Sequence, residues 1–231
     1  MVMPQTYVIG DIHGAYRALQ QCLERSHFDY ATDHLICLGD VCDGWPDTRL
    51  CIDELLRINN LTYILGNHDM WLLDWMSKEI AENIWLSQGG SATVSSYSEG
   101  VPPAHLEFLK KALPYFIVDN KLFVHAGIDL RRPLDTQDIM TLAWDRTLVQ
   151  KAWNYYVNGT MKKLTNFDEV YIGHTPIPFR HPVQSGEIWM MDTGAGWAGV
   201  LSMMNVNSKE IFTSDLVPSL YPGIEGRMKN K

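Results

Sequence analysis

Cysteine is scarce in this chain, with four in 231 residues, and Cys22, Cys37, Cys42 and Cys51 form no C-x-x-C pair. That spacing excludes a zinc ribbon and suits separate reduced thiols better than a disulfide framework. Nor does any apolar run approach the ~20 residues of a membrane span, and Met1 to Gln5 is too short for a signal peptide. Positive charge is also in short supply: 19 Lys and Arg stand against 27 Asp and Glu, a formal net charge of -8. Nucleic acids and acidic membranes call for clustered Lys and Arg, so neither is expected as a partner. A phosphorylated substrate remains compatible, because metal ions supply local positive charge. Low complexity is absent too, with apolar residues at 46% and charged residues at 20%, close to a globular average. These absences predict a soluble protein of a reducing compartment, most simply the cytoplasm. The length fits one large domain over residues 1–217, and the Pro- and Gly-containing end, 218–231, reads as a poorly ordered tail.

What the chain does have is a set of polar clusters placed directly after apolar runs. Thr6-Tyr7-Val8-Ile9 runs into Gly10-Asp11-Ile12-His13-Gly14, His34 to Leu38 into Gly39-Asp40-Val41-Cys42-Asp43, and Leu61 to Leu65 into Gly66-Asn67-His68-Asp69. Helical spacing follows each cluster, in Ala15, Leu19, Cys22 and Leu23, in Cys51, Leu55 and Ile58 behind an N-cap at Thr48, and in Met70, Leu73 and Met76. Three strand–motif–helix units in series predict a largely parallel sheet. Residues 87–103 read as a Gly-, Ser- and Pro-rich insertion before a helix carrying Leu106, Leu109 and Leu113.

From Tyr115 the pattern turns mostly β. Tyr115–Val118 and Leu122–His125 flank the turn Asp119-Asn120, and the second strand runs into His125-Ala126-Gly127. After a helical stretch from Thr136 to Asn158 containing Trp144-Asp145-Arg146, Glu169–Ile172 runs into Gly173-His174-Thr175. Three further strands follow, 188–192, 199–206 and 209–214.

Open α/β sheets bind ligands at the carboxyl ends of their strands. His13, His68, His125 and His174 each stand at such an end beside Gly or Asn, whereas His27, His34, His105 and His181 do not. Imidazole with carboxylate suits first-row divalent ions, and an Asp whose two oxygens reach two ions can hold a two-metal centre. The set therefore predicts a binuclear site for phosphoryl chemistry.

Taken in order, the five motifs resemble those of the calcineurin-like metallophosphoesterases, above all the bacterial and phage serine/threonine protein phosphatases and the symmetrical diadenosine tetraphosphatases. The resemblance spans residues 6 to about 206. It implies an α/β fold of two stacked mixed β-sheets flanked by helices. It implies that Asp11 and His13 hold one ion, Asp40 bridges, and Asn67, His125 and His174 hold the other. It implies two divalent ions, with manganese as the family expectation and Fe, Zn, Ni, Co or Mg compatible, and water activated between them as nucleophile. His68 paired with Asp43 is the implied general acid, and Arg146 and Asn67 the implied phosphate contacts. The chemistry makes the same demands: a departing alkoxide needs a proton, which a carboxylate-oriented imidazolium gives, and equatorial oxygens need a planar fork. The implied substrate is a phosphorylated protein or a small phosphoester, aryl phosphates included, with a dinucleoside polyphosphate as the alternative and a non-catalytic scaffold as a third reading.

The chain departs from the pattern it resembles: the protein phosphatases typically carry arginines where Gly44 and Leu65 stand, whereas the tetraphosphatases share the leucine but keep the arginine that Gly44 lacks. Arg146 is then the one remaining phosphate-gripping position of the family pattern, with Arg180 as the fallback cation. Trp45 reads either as the mouth of the site or as a loop residue folded onto the core, and Trp71 as a second aromatic surface for the leaving group.

Overall fold

The computed structural model describes residues 3–227. Three strand–helix units come first: β1 (Thr6–Ile9) with α1 (Tyr16–Arg25), β2 (His34–Cys37) with α2 (Thr48–Leu55), and β3 (Asn60–Tyr63) with α3 (Asn67–Lys78). A helical region follows, made of α4 (Asn83–Trp85), a π-helical turn at Leu86–Gly90, α5 (Ser91–Ser96) and α6 (Pro103–Lys110). Then come the hairpin β4 (Tyr115–Val118) and β5 (Lys121–Val124), a 3-10 turn at Leu134–Thr136, α7 (Ile139–Trp144) and α8 (Thr147–Val157). The chain continues through β6 (Glu169–Ile172), β7 (Val183–Ser185), β8 (Ile188–Met190), β9 (Ser202–Asn205), β10 (Ile211–Thr213) and α9 (Val217–Leu220).

Two five-stranded mixed sheets result, in the orders β10-β9-β1-β2-β3 and β4-β5-β6-β8-β7. β1, β2 and β3 are parallel, as are β5, β6 and β8, so all six deliver their carboxyl ends to one edge. Apolar layers sit on both faces of each sheet. Val8, Ile36, Phe123, Tyr171, Met191 and Met204 fill one cluster to which both sheets contribute, with Phe123 and Tyr171 stacked at 4.7 Å between ring centroids. The helices bury their apolar stripes on the outer faces, α1 through Ala18, Leu19, Cys22 and Leu23, and α8 through Leu148, Val149 and Ala152. All four cysteines are buried free thiols. No helix among the described residues is long and apolar enough to cross a membrane.

Several expectations need correction. Residues 87–103 are mostly helical, because Thr93 and the indole of Trp85 just before them turn inward onto Asp43 and anchor the segment. Thr48 begins α2 but is no cap: Asp47 holds that position, and the Thr48 hydroxyl meets that of Thr93 at 3.2 Å. The stretch 136–158 is broken at Asp145-Arg146, where Asp145 takes an extended backbone (φ -72°, ψ 125°). Asn67 and His68, read as standing at a strand end, are already the first two residues of α3. The strand β7 has no counterpart in the sequence reading, its three residues being too short for a periodic signal.

The tail also departs from expectation as far as Arg227. Tyr221 stacks on Trp45 at 5.1 Å with the rings 25° apart, and its hydroxyl donates to Asp47 Oδ2 at 2.8 Å. Residues 228–231 of that segment lie outside the described residues. Trp45 is itself core: it is 1% exposed and donates from Nε1 to the Ala195 carbonyl at 2.7 Å.

Candidate metal centre and active site

Each motif lies where a parallel strand ends, and tight backbone geometry turns its side chains onto one another. His13, Asp40, Asp43 and His174 all have left-handed backbones, with φ of 52°, 54°, 74° and 63°. Non-glycine residues rarely adopt that region, and such strain persists only where the surroundings over-determine it. The Asp69 carboxylate does much of this at the second motif, accepting the N–H groups of Asp40 (2.7 Å), Val41 (3.0 Å) and Gly66 (2.9 Å) and the Tyr63 hydroxyl (2.9 Å). Gly173 lets the fifth motif approach the first, since a Cβ there would lie 2.2 Å from Asp11 Oδ1. With the glycine in place, the His174 N–H reaches both Asp11 oxygens at 3.1 Å.

Two buried clusters with metal-ligating geometry result, Asp11–His13–Asp40 and Asp40–His125–His174, each with donor atoms within 4.8 Å of one another. Asp40 belongs to both. Asn67 joins the second, its Oδ1 standing 3.0 Å from His125 Nε2. All six sequence-derived ligand candidates therefore meet at one sheet edge.

The donor chemistry fits divalent ions. His13 and His125 each direct Nδ1 at a backbone carbonyl, Cys42 at 2.8 Å and Leu38 at 2.7 Å, which leaves Nε2 on the cluster side. His174 Nε2 is buried with no hydrogen-bond partner among the described residues, an orphan of the kind an ion would satisfy.

Electrostatics point the same way. Burial, then the charge of Asp192, hold the Asp11 carboxyl well above its usual range. Burial would raise Asp40 as well, but the imidazoles of His125 and His68 outweigh it and hold Asp40 well below. Burial alone would lower His125, yet the Asp40 carboxylate pushes it up to about 10. A proton on His125 thus stands in for part of the charge that an ion brings. Burial and then His125 push His174 down to about 3, keeping it a neutral donor.

His68 is set apart from the clusters by its partner. Its Nδ1 donates to Asp43 Oδ2 at 2.6 Å, and its backbone N–H donates to Asp40 Oδ1 at 2.9 Å. Asp43 is held in turn by Trp85 Nε1 at 2.7 Å and the Thr93 hydroxyl at 2.8 Å. A cavity of about 460 Å³ opens over this group, lined by Asp40, Asn67, His68, His174, Arg146, Trp71, Trp144, Ile84, Gln88 and Arg227. Arg146, at the break between α7 and α8, therefore stands where it can meet a phosphate. Arg180 instead lines a separate pocket beside Trp197. Trp45 is absent from the mouth, and the aromatic walls are Trp71 and Trp144, edge to face at 5.1 Å.

Four contributors escaped the sequence reading. Asp192, buried after β8 and pushed up to about 6 by burial and then by Asp40, ends an apolar run as the other motifs do, and that was its signal. Trp85 and Thr93 act on Asp43 from 42 and 50 residues away, and Arg227 reaches the cavity from the C-terminal segment. No local pattern marks these three.

Residues 5–195 match the profile of the calcineurin-like phosphoesterase family. The chain is 28% identical over 209 residues to serine/threonine-protein phosphatase 1 of Salmonella typhimurium, covering 87% of this chain and 91% of that one. It is also 28% identical over 166 residues to the symmetrical bis(5'-nucleosyl)-tetraphosphatase of Baumannia cicadellinicola, covering 70% of this chain but only 56% of that relative. The crystal structure of a putative diadenosine tetraphosphatase superposes with a TM-score of 0.67 at 21% identity, covering 92% of this chain and 93% of that one. Two mixed sheets, two ligand clusters at their common edge and a family match over most of the length lead to one statement: the chain belongs to the calcineurin-like phosphoesterase family and is a metal-dependent phosphatase.

Proposed function

We propose that the chain is a two-ion phosphomonoesterase acting on phosphoserine and phosphothreonine in proteins, with His68 as the acid that protonates the leaving group. Asp11, His13 and Asp40 would hold one ion, and Asp40, Asn67, His125 and His174 the other. Ions bound there would lower the pKa of water to about 7 and neutralise phosphoryl charge. Manganese is the family expectation, and cellular availability decides among divalent ions at a mixed N/O site. Asp43 orients the His68 ring through Nδ1, so that Nε2 carries the proton a departing alkoxide needs. Arg146 offers a planar fork to the equatorial oxygens, and Asn67 a second polar contact.

The observation that carries the substrate choice is the pocket beside His68. About 320 Å³ in volume, it is lined by Trp71, Trp85, Trp144, Met70 and Met140 together with Asp74 and Glu82. Carboxylates among aromatic walls favour a neutral or basic peptide over a run of phosphates, since like charges brought together are disfavoured. The second reading, a dinucleoside tetraphosphate hydrolase, draws on the same tryptophans, whose faces can stack a base. Phosphate release from a phosphopeptide, measured beside ADP release from diadenosine tetraphosphate with manganese supplied, separates the two. Phosphopeptide turnover is expected. ADP release without it transfers the assignment to the second reading, and silence on both substrates would leave a binding scaffold.

A further inference from the structure

The C-terminal segment does more than cover Trp45. It is fixed at Tyr221, where the Arg17 guanidinium lies 4.8 Å from the ring centroid and the Arg17 N–H donates to the hydroxyl at 3.1 Å. Gly226 then passes so close to Trp45 that a Cβ there would stand 2.7 Å from the indole, and the Arg227 N–H donates to the Gly196 carbonyl at 2.9 Å. From this anchor the Arg227 side chain runs across two glycines. A Cβ at Gly44 would lie 2.8 Å from Arg227 Cγ, and one at Gly89 3.2 Å; both glycines have positive φ, 116° and 109°. A side chain at Gly44 would collide with the arginine in this lane, and one at Gly89 would crowd it.

The guanidinium ends inside the candidate active site. It lies 4.9 Å from the ring centroid of Trp197, donates from Nε to the Gln88 carbonyl at 3.2 Å and from Nη1 to His13 Nε2 at 3.1 Å, and lines the same cavity as Arg146 and His68. Those bonds use two of the five N–H donors of the fork. The bond to His13 cannot persist with an ion on Nε2, because one lone pair serves one partner. Loading the site thus frees a further donor towards the cavity.

We propose that Arg227 is a second phosphate-gripping residue, carried past Gly44 and Gly89 into the cavity by the C-terminal segment, so that substrate phosphate is held between it and Arg146. This rests on the phosphoesterase reading above, and it makes phosphate affinity depend on a segment remote in sequence from every metal ligand. Arg227 supplies a second cation beside Arg146, where the family pattern leaves that position alone.

The test uses the full-length manganese-loaded protein, with Arg227→Ala, Arg227→Lys and a chain ending at Gly226 compared with the parent. Four quantities are read: the Kd of inorganic phosphate by calorimetry, KM and kcat on p-nitrophenyl phosphate, and bound manganese by elemental analysis. Arg227→Ala and the shortened chain should weaken phosphate binding and raise KM by about 10- to 100-fold, the loss typical of one charge-assisted fork. Metal content should stay unchanged, and lysine should recover part of the loss. Phosphate affinity and KM within twofold of the parent in Arg227→Ala would overturn the proposal. So would a gain or loss of bound manganese that accounts for the change, which would make Arg227 a competitor for His13 instead. A parent protein that hydrolyses no phosphoester while still losing phosphate affinity on Arg227→Ala would sink the catalytic reading and spare this one.

Discussion

The two ligand clusters share Asp40 but are assembled differently. Asp11–His13–Asp40 comes from the ends of the neighbouring strands β1 and β2, joined through backbone bonds such as that from the His13 N–H to the Asp40 carbonyl at 2.9 Å. Asp40–His125–His174 spans both sheets: Asp40 follows β2, whereas His125 and His174 follow β5 and β6. The charges differ as well. Carboxylates are in excess on the first side, where Asp192 adds to Asp11, and imidazoles on the second. The first cluster therefore draws its ligands from one sheet and the second from two, although residues after β6 and β8 press on Asp11 as well. An ion held at the second would tie the sheets together.

Breaking the shared ligand should have the largest effect. With two ions bound as proposed, Asp40→Asn would remove the shared carboxylate, and since even groups behind the ligands typically contribute 10- to 100-fold, activity should fall by more than about 100-fold with loss of both ions. Elemental analysis that still found two ions per chain in this variant would show that the clusters do not depend on a common ligand.

Next in size is His68→Asn, which leaves both clusters intact and so isolates chemistry from metal binding. A loss of kcat of about 10²–10⁴-fold is expected on an alkyl phosphate, with retained metal and a smaller loss on p-nitrophenyl phosphate, whose leaving group hardly needs a proton. Equal losses on both substrates would remove His68 from the acid role.

A third measurement sharpens the electrostatic contrast. His125, free at 6.5 and raised to about 10 in the folded metal-free chain, contributes stability that is fully present below 6.5 and lost as pH rises towards about 10. Between about pH 7 and 8.5 the metal-free protein should therefore lose Tm faster than the manganese-loaded one, in which the imidazole is already a neutral ligand. Parallel declines in a chelator-treated and a loaded sample would show that the second cluster holds no extra proton.

The smallest effect separates two tryptophans. Trp71→Ala should lower kcat/KM on aryl substrates by about 2- to 12-fold, the range of one aromatic contact, with little change on alkyl ones. Trp45→Ala should instead cost about 3–5 kcal/mol of stability, as other buried aromatic truncations do. Its effect on the aryl-to-alkyl ratio should be nil, and a changed ratio would put Trp45 back at the mouth of the site.

The sequence by itself determined the strands that end in chemistry. Val8-Ile9 before Asp11, Leu35 to Leu38 before Asp40, and Val170 to Ile172 before His174 are local signals: an apolar run fixes a buried strand, and parallel neighbours send such strands to a common edge. The gathering of His and Asp side chains at strand ends was legible for that reason; the six candidate ligand roles, the His68–Asp43 pairing and the two-sheet fold were read with the aid of family resemblance. Tertiary packing alone decided the rest. A tryptophan at 45 reads the same whether it faces a cavity or, as here, lies under Tyr221. The region 87–103 looks like a polar insertion until Thr93 is seen to hold Asp43. Arg227 is one basic residue in a tail until the stacking of Tyr221 carries it to Gly44, across a gap in sequence that no periodicity spans. Periodicity records which face of an element is buried; it carries no information on which distant side chain completes a carboxylate's hydrogen bonds or fills the space beside a glycine.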